Sequence, residues 1–480
     1  MRSAHRVETV RTAERTLMAR LPDGALMQRA AAGLAAACAD VLPRRVYGSR
    51  VVLLTGSGDN GGDTLYAGAR LARRGAGVTA VLLAPDRTHH AALDALLRAG
   101  GTTAAPTTAP ALIGRADLVL DGIVGIGGKG GLRPEAARLA ALVAASPAIV
   151  VAVDLPSGIE PDTGEIHGAA VRADLTVTFG THKPGLLIDP AREHAGSVRL
   201  IDIGLADTLP ATPALESLQH TDVAALLPHP SQESDKYRRG VVGIAAGSAR
   251  YPGAAVLAVA GALRGGAGAV RYVGAAGDAV LARFPETLVS NTGPKKAGRV
   301  QAWVAGPGAA EDPAPVAEAL ATDVPVLLDA DGLRLADRET VRGRTAPTLL
   351  TPHAGEAAAL LGIPREEVEA SRLTAVRDLS RAYDATVLLK GSTTLIAAPD
   401  PDVPVRVNAT GTPWLATAGS GDVLSGLAGS LLAAGLSPLD AASVAAYVHG
   451  LAGRYAADGA PAGAHDVAES IPAAWRDITA

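Results

Sequence analysis

The chain has 480 residues, of which 48% are hydrophobic and 19% charged, and this is enough for two or three globular domains. A net charge of −4 without a dense Lys/Arg block excludes an electrostatic partnership with nucleic acid or an anionic membrane. The single cysteine, Cys38, excludes an internal disulfide, and we expect neither a signal peptide nor a membrane-spanning run. The composition therefore predicts a cytoplasmic α/β enzyme.

The first part of the chain alternates apolar strands with helical patterns. Residues 7–41 carry apolar side chains at helical spacing, and a strand at 51–55 leads through a turn at 56–63 into a helix at 65–73. Further elements are predicted as strands at 78–83, 118–120 and 149–153 and as a helix at 91–99. Strand, glycine turn and helix together form the first unit of a Rossmann-like, doubly wound sheet.

Three of these strands end in polar turns that contain glycine. The turn residues are Asp59, Asn60, Gly61, Gly62, Asp63, Asp121, Asp154 and Ser157. A glycine-rich loop after the second strand contains Gly125, Ile126, Gly127, Gly128, Lys129, Gly130 and Gly131. Any one turn is explained equally well as structural, but the carboxyl ends of parallel strands meet at one edge, where α/β sheets bind ligands. We therefore expect one site here, suited to hydroxyls, amides or a monovalent cation.

These turns resemble the motifs of the NAD(P)H-hydrate epimerases. Residues 58–63 are similar to the family's Gly-Asn-Asn-Gly-Gly-Asp, 121–127 to its Asp-Gly-x-x-Gly-x-Gly and 154–158 to its Asp-x-Pro-Ser-Gly. The resemblance implies that residues 59–63 and the loop 125–131 bind the hydrated cofactor and that a catalytic Asp154 faces the nicotinamide ring. It also implies a potassium ion on Asn60, Asp121 and Ser157.

The domain boundary is expected within residues 206–221. This segment is rich in Pro, Thr and Ala and has no clear hydrophobic period. We accordingly predict an epimerase-like domain at 1–215 and a second domain at 216–480. Asp59 stands where the epimerase family has Asn, and Thr64 stands where it has Gly, so a non-catalytic binding module stays open for the first domain.

The second half also alternates strands with glycine-containing or polar turns. Its predicted strands lie at 241–246, 303–305, 326–328, 349–350 and 386–389. After the last of these, Lys390 is followed by small hydroxyl residues, a pattern that suits nucleotide phosphates but is equally typical of a solvated lysine. His353 follows Pro352, a context that is more often structural than catalytic.

The stretch 417–426 is the strongest candidate in this half. Gly419 and Gly421 permit close approach of a phosphate to the start of the following helix, and Asp422 stands at the junction. A carboxylate beside an anion site is explained by proton abstraction from a substrate hydroxyl or by metal binding. The plainer interpretation is a helix-capping Asp with glycines that only pack.

The order of motifs from 236 to 427 resembles the ADP-dependent NAD(P)H-hydrate dehydratases, a branch of the ribokinase-like fold. The motifs include Tyr-x-Gly-Ala-Ala, Gly-Pro-Gly, Asp-Ala-Asp, Thr-Pro-His-x-Gly-Glu, Leu-Lys-Gly and Gly-Ser-Gly-Asp. The resemblance implies that the hydrated cofactor is contacted by Ala255, Gly308, His353 and Asp422. It implies that the adenine nucleotide is bound by Lys390, Gly391, Ser392, Thr393, Thr394 and Gly421.

The two resemblances together imply a bifunctional repair enzyme for NADH hydrate and NADPH hydrate. ADP would be the co-substrate, Mg²⁺ and K⁺ the ions, and a homo-oligomer the expected assembly. The rival hypothesis is a ribokinase-like kinase for a small alcohol, fused to a non-catalytic Rossmann-like module, because Gly-Ser-Gly-Asp would serve such a kinase equally well.

Overall fold

The computed structural model describes residues 1–42, 45–128 and 130–480. The chain divides into two compact units, one formed by Ser3–Ala214 and the other by Leu215–Ala480 together with Met1–Arg2. Lys129, one of the expected binding residues, lies outside the described residues.

The first unit is built on a parallel sheet in the order β4-β3-β2-β5-β6-β7-β8. The strands described from the chain start are β1 (Arg2–Ala4), β2 (Arg50–Thr55), β3 (Gly77–Leu82), β4 (Thr102–Ala104), β5 (Leu118–Gly122), β6 (Ile149–Val153), β7 (Leu175–Phe179) and β8 (Ser197–Ile201). The helices are α1 (Val7–Met18), α2 (Ala25–Val41), α3 (Asp59–Arg73), α4 (His90–Arg98), α5 (Ala109–Ile113), α6 (Pro134–Ala144) and α7 (Arg192–Ala195).

Helices cover both faces of this sheet. Alternate strand residues point to opposite sides, so Leu53 packs with Leu65 of α3 in one cluster and Leu54 packs with Leu139 of α6 in another. The register places Thr55 of β2 opposite Gly122 of β5, so the expected site turns leave the sheet at one edge. The predicted doubly wound arrangement is confirmed.

Two predicted boundaries in this unit are wrong. The helical pattern expected at 7–41 forms two helices. Pro22 and the left-handed Gly24 (φ 77°) interrupt the helix between α1 and α2. The helix expected at 65–73 begins at Asp59, so Asn60 to Asp63 lie on its first turns and not in a loop. Their side chains are therefore held by a regular helix.

The second unit contains a mixed sheet whose strands β9 to β18 lie in the order β9-β18-β17-β16-β15-β14-β13-β10-β11-β12. These strands are β9 (Leu215–Ser217), β10 (Val241–Ala245), β11 (Ala269–Val273), β12 (Leu288–Ser290), β13 (Ala302–Ala305), β14 (Val326–Leu328), β15 (Thr348–Leu350), β16 (Thr386–Leu389), β17 (Thr394–Ala397) and β18 (Val405–Asn408). Pairs from β12 across to β16 are parallel, whereas β17 is antiparallel to both β16 and β18.

Helices pack on the sheet of the second unit. They are α8 (His220–Leu226), α9 (Pro252–Arg264), α10 (Gly277–Arg283), α11 (Ala314–Leu320), α12 (Asp331–Leu335), α13 (Arg338–Arg342), α14 (Ala354–Leu361), α15 (Arg365–Ala370), α16 (Arg372–Tyr383), α17 (Ser420–Ala433), α18 (Pro438–Ala457) and α19 (Ala464–Thr479). Within the described ranges, no helix has the length and apolar character needed to cross a bilayer.

Helix α17 is fixed by backbone contact with α9. A Cβ on Gly261 would lie 2.1 Å from the carbonyl oxygen of Val423, and a Cβ on Gly426 would lie 1.9 Å from that of Ala258. Only glycine allows this approach, so the two glycines determine where α17 starts. That start carries the Gly-Ser-Gly-Asp motif.

Candidate functional site

In the first unit, Asp154 follows β6 in a strained conformation. Its φ of 67° is costly for a residue with a Cβ, and such strain concentrates at functional sites. Its Oδ1 accepts hydrogen bonds from Lys183 Nζ at 2.5 Å and from Thr178 Oγ1 at 3.0 Å. The carboxylate is therefore held by a buried cation.

Lys183 is a functional candidate that the sequence analysis missed. Its side chain is 1% exposed, and besides Asp154 it donates to Thr178 Oγ1 at 2.9 Å and to the Phe179 carbonyl at 3.1 Å. This buried ammonium therefore has three oxygen partners, which fix its position beside Asp154. The only feature of the sequence that indicated a role for Lys183 was its place after strand β7, and lysines at the ends of strands are usually solvated.

Two further carboxyl groups, Asp63 and Glu14, lie within electrostatic range of this pair. Asp63 is 9% exposed, and its Oδ1 has no hydrogen-bond partner among the described residues. Burial raises the pKa of Asp63 well above its ordinary value, as do the carboxylates of Asp154, Asp59 and Glu14, against the opposing charge of Lys183. Burial likewise raises the pKa of Glu14, a residue of α1 that no sequence motif indicated.

The residues expected to hold potassium do lie together. Asp121 is fully buried and accepts from Ser157, at 2.7 Å from both the backbone N–H and the hydroxyl. Burial raises the pKa of Asp121 to about 6, although these hydrogen bonds lower it. The Asn60 amide reaches the Val153 carbonyl oxygen at 2.9 Å and the Gly125 nitrogen at 3.3 Å. Asp121 and Ser157 are therefore in direct contact, and Asn60 bonds to the backbone of the chain segments that carry them, at Gly125 and Val153.

The glycine-rich loop is described at 125–128 and at 130–131. Its first part turns back through a hydrogen bond from the Gly128 N–H to the Gly125 carbonyl at 3.0 Å. Arg11 of α1 donates to the Ile126 carbonyl at 3.4 Å. Helix α1 therefore contributes Arg11 and Glu14 to a site that the sequence analysis built from strand ends alone.

In the second unit, Asp422 lies on the first turn of α17. Gly419 precedes the helix as its N-cap with φ 87°, a left-handed conformation that suits glycine. Burial and then the Asp329 carboxylate raise the pKa of Asp422 to about 7; Lys390 opposes this effect and Glu356 adds to it. The side chain of Asp422 is therefore a base with a pKa near neutrality.

Lys390 is the centre of this second cluster. Its Nζ lies 2.7 Å from Asp329 Oδ1 and 3.7 Å from Glu356 Oε2. Asp329 also accepts from Ser425 Oγ of α17 at 2.7 Å. A Cβ on Gly421 would lie 3.4 Å from Lys390 Nζ, so the lysine lies directly beside the glycine turn. Burial lowers the pKa of Lys390, but Asp329 and Glu356 more than offset this and raise it overall.

The backbone around Lys390 and the loop that follows it is held by hydrogen bonds from Arg372. The guanidinium, which is 6% exposed, donates to the carbonyl oxygens of Leu389, Lys390 and Thr393 at 3.1–3.3 Å. The expected nucleotide residues differ in exposure: Gly391 and Ser392 are exposed, Thr394 is half-buried, and Thr393 is buried.

His353 and Gly308 are accessible at the same unit's glycine turns, whereas Ala255 is not. His353 caps α14, and its backbone N–H donates to Glu356 Oε2 at 2.7 Å. Gly308 lies against the start of α9. The side chain of Ala255 is fully buried beside Gly247.

His449 of α18 lies behind the Gly-Ser-Gly-Asp turn. Its ring hydrogen-bonds to the Ser420 backbone, while its buried Nε2 has no partner in the described part of the chain. Burial lowers the pKa of His449 to about 4, so the ring is neutral. No local sequence pattern indicated His449, because a lone histidine in an apolar helix is typical of a residue that packs in the hydrophobic core.

Both units thus place a buried lysine–carboxylate pair at the polar turns after parallel strands, an arrangement typical of a two-domain enzyme with acid–base chemistry. Comparison with known families agrees with this division. Residues 23–185 match the family described as YjeF-related protein N-terminus, and residues 242–473 match the family described as NAD(P)H-hydrate dehydratase.

Relatives of similar length span nearly the whole chain. The bifunctional NAD(P)H-hydrate repair enzyme Nnr of Mycobacterium tuberculosis (strain CDC 1551 / Oshkosh) is 52% identical over 92% of each chain. The enzyme of the same name from Mycobacterium leprae is 51% identical over 94% of this chain and 93% of its own. The chain therefore belongs to the family of bifunctional NAD(P)H-hydrate repair enzymes.

Solved structures match the second unit. An ADP/ATP-dependent NAD(P)H-hydrate dehydratase from Bacillus subtilis, co-crystallised with ATP/Mg²⁺, is 31% identical with a TM-score of 0.51, covering 54% of this chain and 97% of its own. A ribokinase-like superfamily protein from Enterococcus faecalis, 21% identical with a TM-score of 0.50 over 55% of this chain and 96% of its own, shows the fold alone. The predicted ribokinase-like fold is confirmed.

Proposed function

We propose that this protein repairs hydrated NADH and NADPH through two activities on one chain. Residues 1–215 would interconvert the R and S epimers at C6 of the ring, and residues 216–480 would dehydrate the S epimer with ADP to give NAD(P)H, AMP and phosphate. Family membership supports the pairing of activities. The observation that supports the dehydratase most strongly is Asp422, whose pKa of about 7 suits a general base beside Lys390.

In the dehydratase, Asp422 would take the proton from the C6 hydroxyl of the substrate. The resulting oxygen attacks the terminal phosphorus of ADP, and AMP leaves. The amides of Gly419 to Gly421 lie at the positive end of α17, where they can stabilise the charge that develops on the transferred phosphate. The ring nitrogen then expels phosphate from C6, and loss of a proton from C5 completes NAD(P)H.

The binding residues of this site follow from the same cluster. We assign the nucleotide to Lys390, Gly391, Ser392, Thr393, Thr394 and Gly421, and the hydrated ring to Gly308, His353 and Asp422. Lys390 already contacts two carboxylates, so we expect its charge to be shared between Asp329 and the nucleotide phosphates. Ala255, on the first turns of α9, is assigned to the hydrated ring as well.

Mg²⁺ is not held by a cage of protein ligands in this arrangement. Within the described ranges, no group of three or more His, Cys, Asp or Glu side chains is placed to bind a metal ion. Both oxygens of Asp329 accept hydrogen bonds, from Lys390 and from Ser425. We therefore propose that Mg²⁺ enters as a complex with the phosphates of ADP.

In the epimerase, Asp154 would act on the C6 centre of the ring. The substrate would be bound by the turn and the glycine-rich loop, that is, by Asp59, Asn60, Gly61, Gly62, Asp63, Gly125, Ile126, Gly127, Gly128, Lys129, Gly130 and Gly131. The carboxylate of Asp154 is held in place by a hydrogen bond from Lys183 Nζ, and we assign to it the proton transfer near the ring.

A potassium ion fits the cluster of Asn60, Asp121 and Ser157. All three supply oxygen ligands, which a hard monovalent cation prefers, and Asp121 is a fully buried carboxyl that has no cationic side chain among its hydrogen-bond donors in the described chain. A bound K⁺ would neutralise Asp121 and stabilise the adjoining loop.

The alternative of a small-alcohol kinase fused to a non-catalytic module is not favoured. Relatives that span nearly the whole chain carry the bifunctional repair name. The first unit, moreover, retains a buried Asp154–Lys183 pair that simple binding does not require.

The test is the full-length D422N variant assayed with S-NADH hydrate and either ADP or ATP. We expect dehydration to fall by about 100- to 10,000-fold, because a general base is lost, while R/S epimerisation is unchanged. Dehydration at the wild-type rate by D422N would contradict the assignment. Phosphorylation of hydroxymethyl substrates in place of NADH-hydrate dehydration would support the kinase.

A further inference from the structure

We propose that Asp63 is the acid of the epimerase, donating the proton with which the C6 hydroxyl leaves as water, while Asp154 accepts the proton from the water that adds back. This assignment rests on the epimerase function proposed above and deepens it, since it selects loss of the hydroxyl over opening of the ring.

The carboxyl of Asp63 is placed as a proton donor would be. It lies on the first turns of α3 at the polar edge of the sheet, and it is more than nine-tenths buried. Its Oδ1 has no hydrogen-bond partner among the described residues. A buried carboxylate left in this state is costly, whereas a neutral carboxylic acid keeps an O–H for a ligand.

Asp154 has the opposite environment. One of its oxygens accepts from the Lys183 ammonium, the Thr178 hydroxyl and, at 3.4 Å, the Phe179 N–H. Three donors thus meet one oxygen of Asp154, whereas Asp63 Oδ1 has no partner among the described residues. Two carboxyl groups with such opposite environments in one site are the usual arrangement of an acid paired with a base.

The charged groups around Asp63 act in the same direction, with one exception. Asp154, Asp59 of the same helix and Glu14 of α1 each raise the pKa of Asp63, and Lys183 lowers it, while burial is the largest cause. The raised pKa favours the neutral form of Asp63, which carries the proton that an acid donates.

The reaction balances without an oxidant or a co-reactant. The C6–O bond breaks as Asp63 transfers its proton to the hydroxyl oxygen, water forms, and the N1 lone pair becomes the second bond of an N1=C6 iminium ion. Water then adds to the other face of C6 and loses a proton to Asp154. Exchange with solvent removes the proton from Asp154 and returns one to Asp63.

The experiment compares full-length wild type and D63N in oxygen-18 water with R-NADH hydrate. In wild type we expect one solvent oxygen at C6 for each epimerisation above the uncatalysed rate, and a rate that falls at high pH as Asp63 ionises. In D63N, epimerisation should fall by about 100- to 10,000-fold. Dehydration of S-NADH hydrate by the second unit should be unchanged, and an unchanged thermal unfolding transition of the first unit shows that the variant is folded.

Three results would overturn the proposal. Epimerisation by D63N at the wild-type rate, with its dehydratase intact, removes Asp63 from its role but leaves the epimerase function standing. Epimerisation by wild type with retention of the C6 oxygen does the same. Wild type that dehydrates the S epimer and shows no epimerisation overturns the epimerase function itself, and the Asp63 assignment with it. The oxygen result does not depend on the variant.

Discussion

At the scale of residues, the two sites share one arrangement of charged side chains. A lysine holds one buried carboxylate, Lys183 with Asp154 at 2.5 Å and Lys390 with Asp329 at 2.7 Å. A second carboxyl nearby, Asp63 or Asp422, then has a raised pKa. Each site thereby contains a fixed charge and a group that titrates, as acid–base catalysis requires.

The raised pKa of Asp422 predicts a cost in stability. Its folded pKa of about 7 lies above the ordinary value of 3.8 for an aspartate, so ionisation disfavours the folded state and stability falls as pH rises from about 4 to about 7. D422N lacks this cost. We expect it to match wild type below pH 4 and to exceed it by about 1–3 kcal/mol above pH 7. Urea unfolding at several pH values measures the difference, and a pH-independent difference would contradict the shift.

The sequence predicted the site residues that belong to a local motif. It did not predict those that are distant in sequence and reach the site only through the fold. Asp422, Asp154 and Lys390 follow strands or open helices in recognisable strings, and the structure places each among charged neighbours. Glu14 and His449 come from helices whose local pattern is that of packing. Only the fold brings them to the sites.

At the scale of elements, the position of Asp422 depends on the contact between α9 and α17. Two glycines, Gly261 and Gly426, allow the two backbones to touch, so the start of α17 has little freedom. This explains why the helix pair needs small residues along its length.

Gly261→Ala tests this contact, and Gly253→Ala on the same helix is its control. A Cβ at 261 would lie 2.1 Å from the Val423 carbonyl oxygen, whereas a Cβ at 253 meets nothing within 4 Å. We expect G261A to lose about 1–3 kcal/mol and to slow dehydration, and G253A to be neutral or up to about 1 kcal/mol more stable. Thermal unfolding and dehydratase assays measure both. Equal stability of the two variants would contradict tight packing here.

The sequence predicted nine of the eighteen strands that the structure describes, and it predicted the starts of the helices less well. Strands β6, β14 and β16 have the predicted bounds, because buried parallel strands are short apolar runs between turn residues. The start of α3 was missed because Gly61 and Gly62 suggest a turn, yet helix is observed. Tertiary contact overrides propensity there, since a Cβ on Gly61 would lie 2.4 Å from the Gly56 carbonyl oxygen.

At the scale of the whole molecule, the chain joins two compact α/β units, each with its own core and site. The sequence predicted both folds because each carries several motifs in order. The distribution of the two chemistries predicts that they are separable: Asp154 belongs to one unit and Asp422 to the other.

The central claim is that one chain recovers both epimers of NADH hydrate. The most direct measurement follows NADH absorbance when full-length protein and ADP are added to a mixture of R and S epimers. Wild type should convert the whole mixture to NADH. D154N should convert only the S epimer, apart from slow uncatalysed epimerisation of the R epimer, and D422N should produce no NADH. Complete conversion by D154N at the wild-type rate, or a wild type that stops at the S share, would contradict the account.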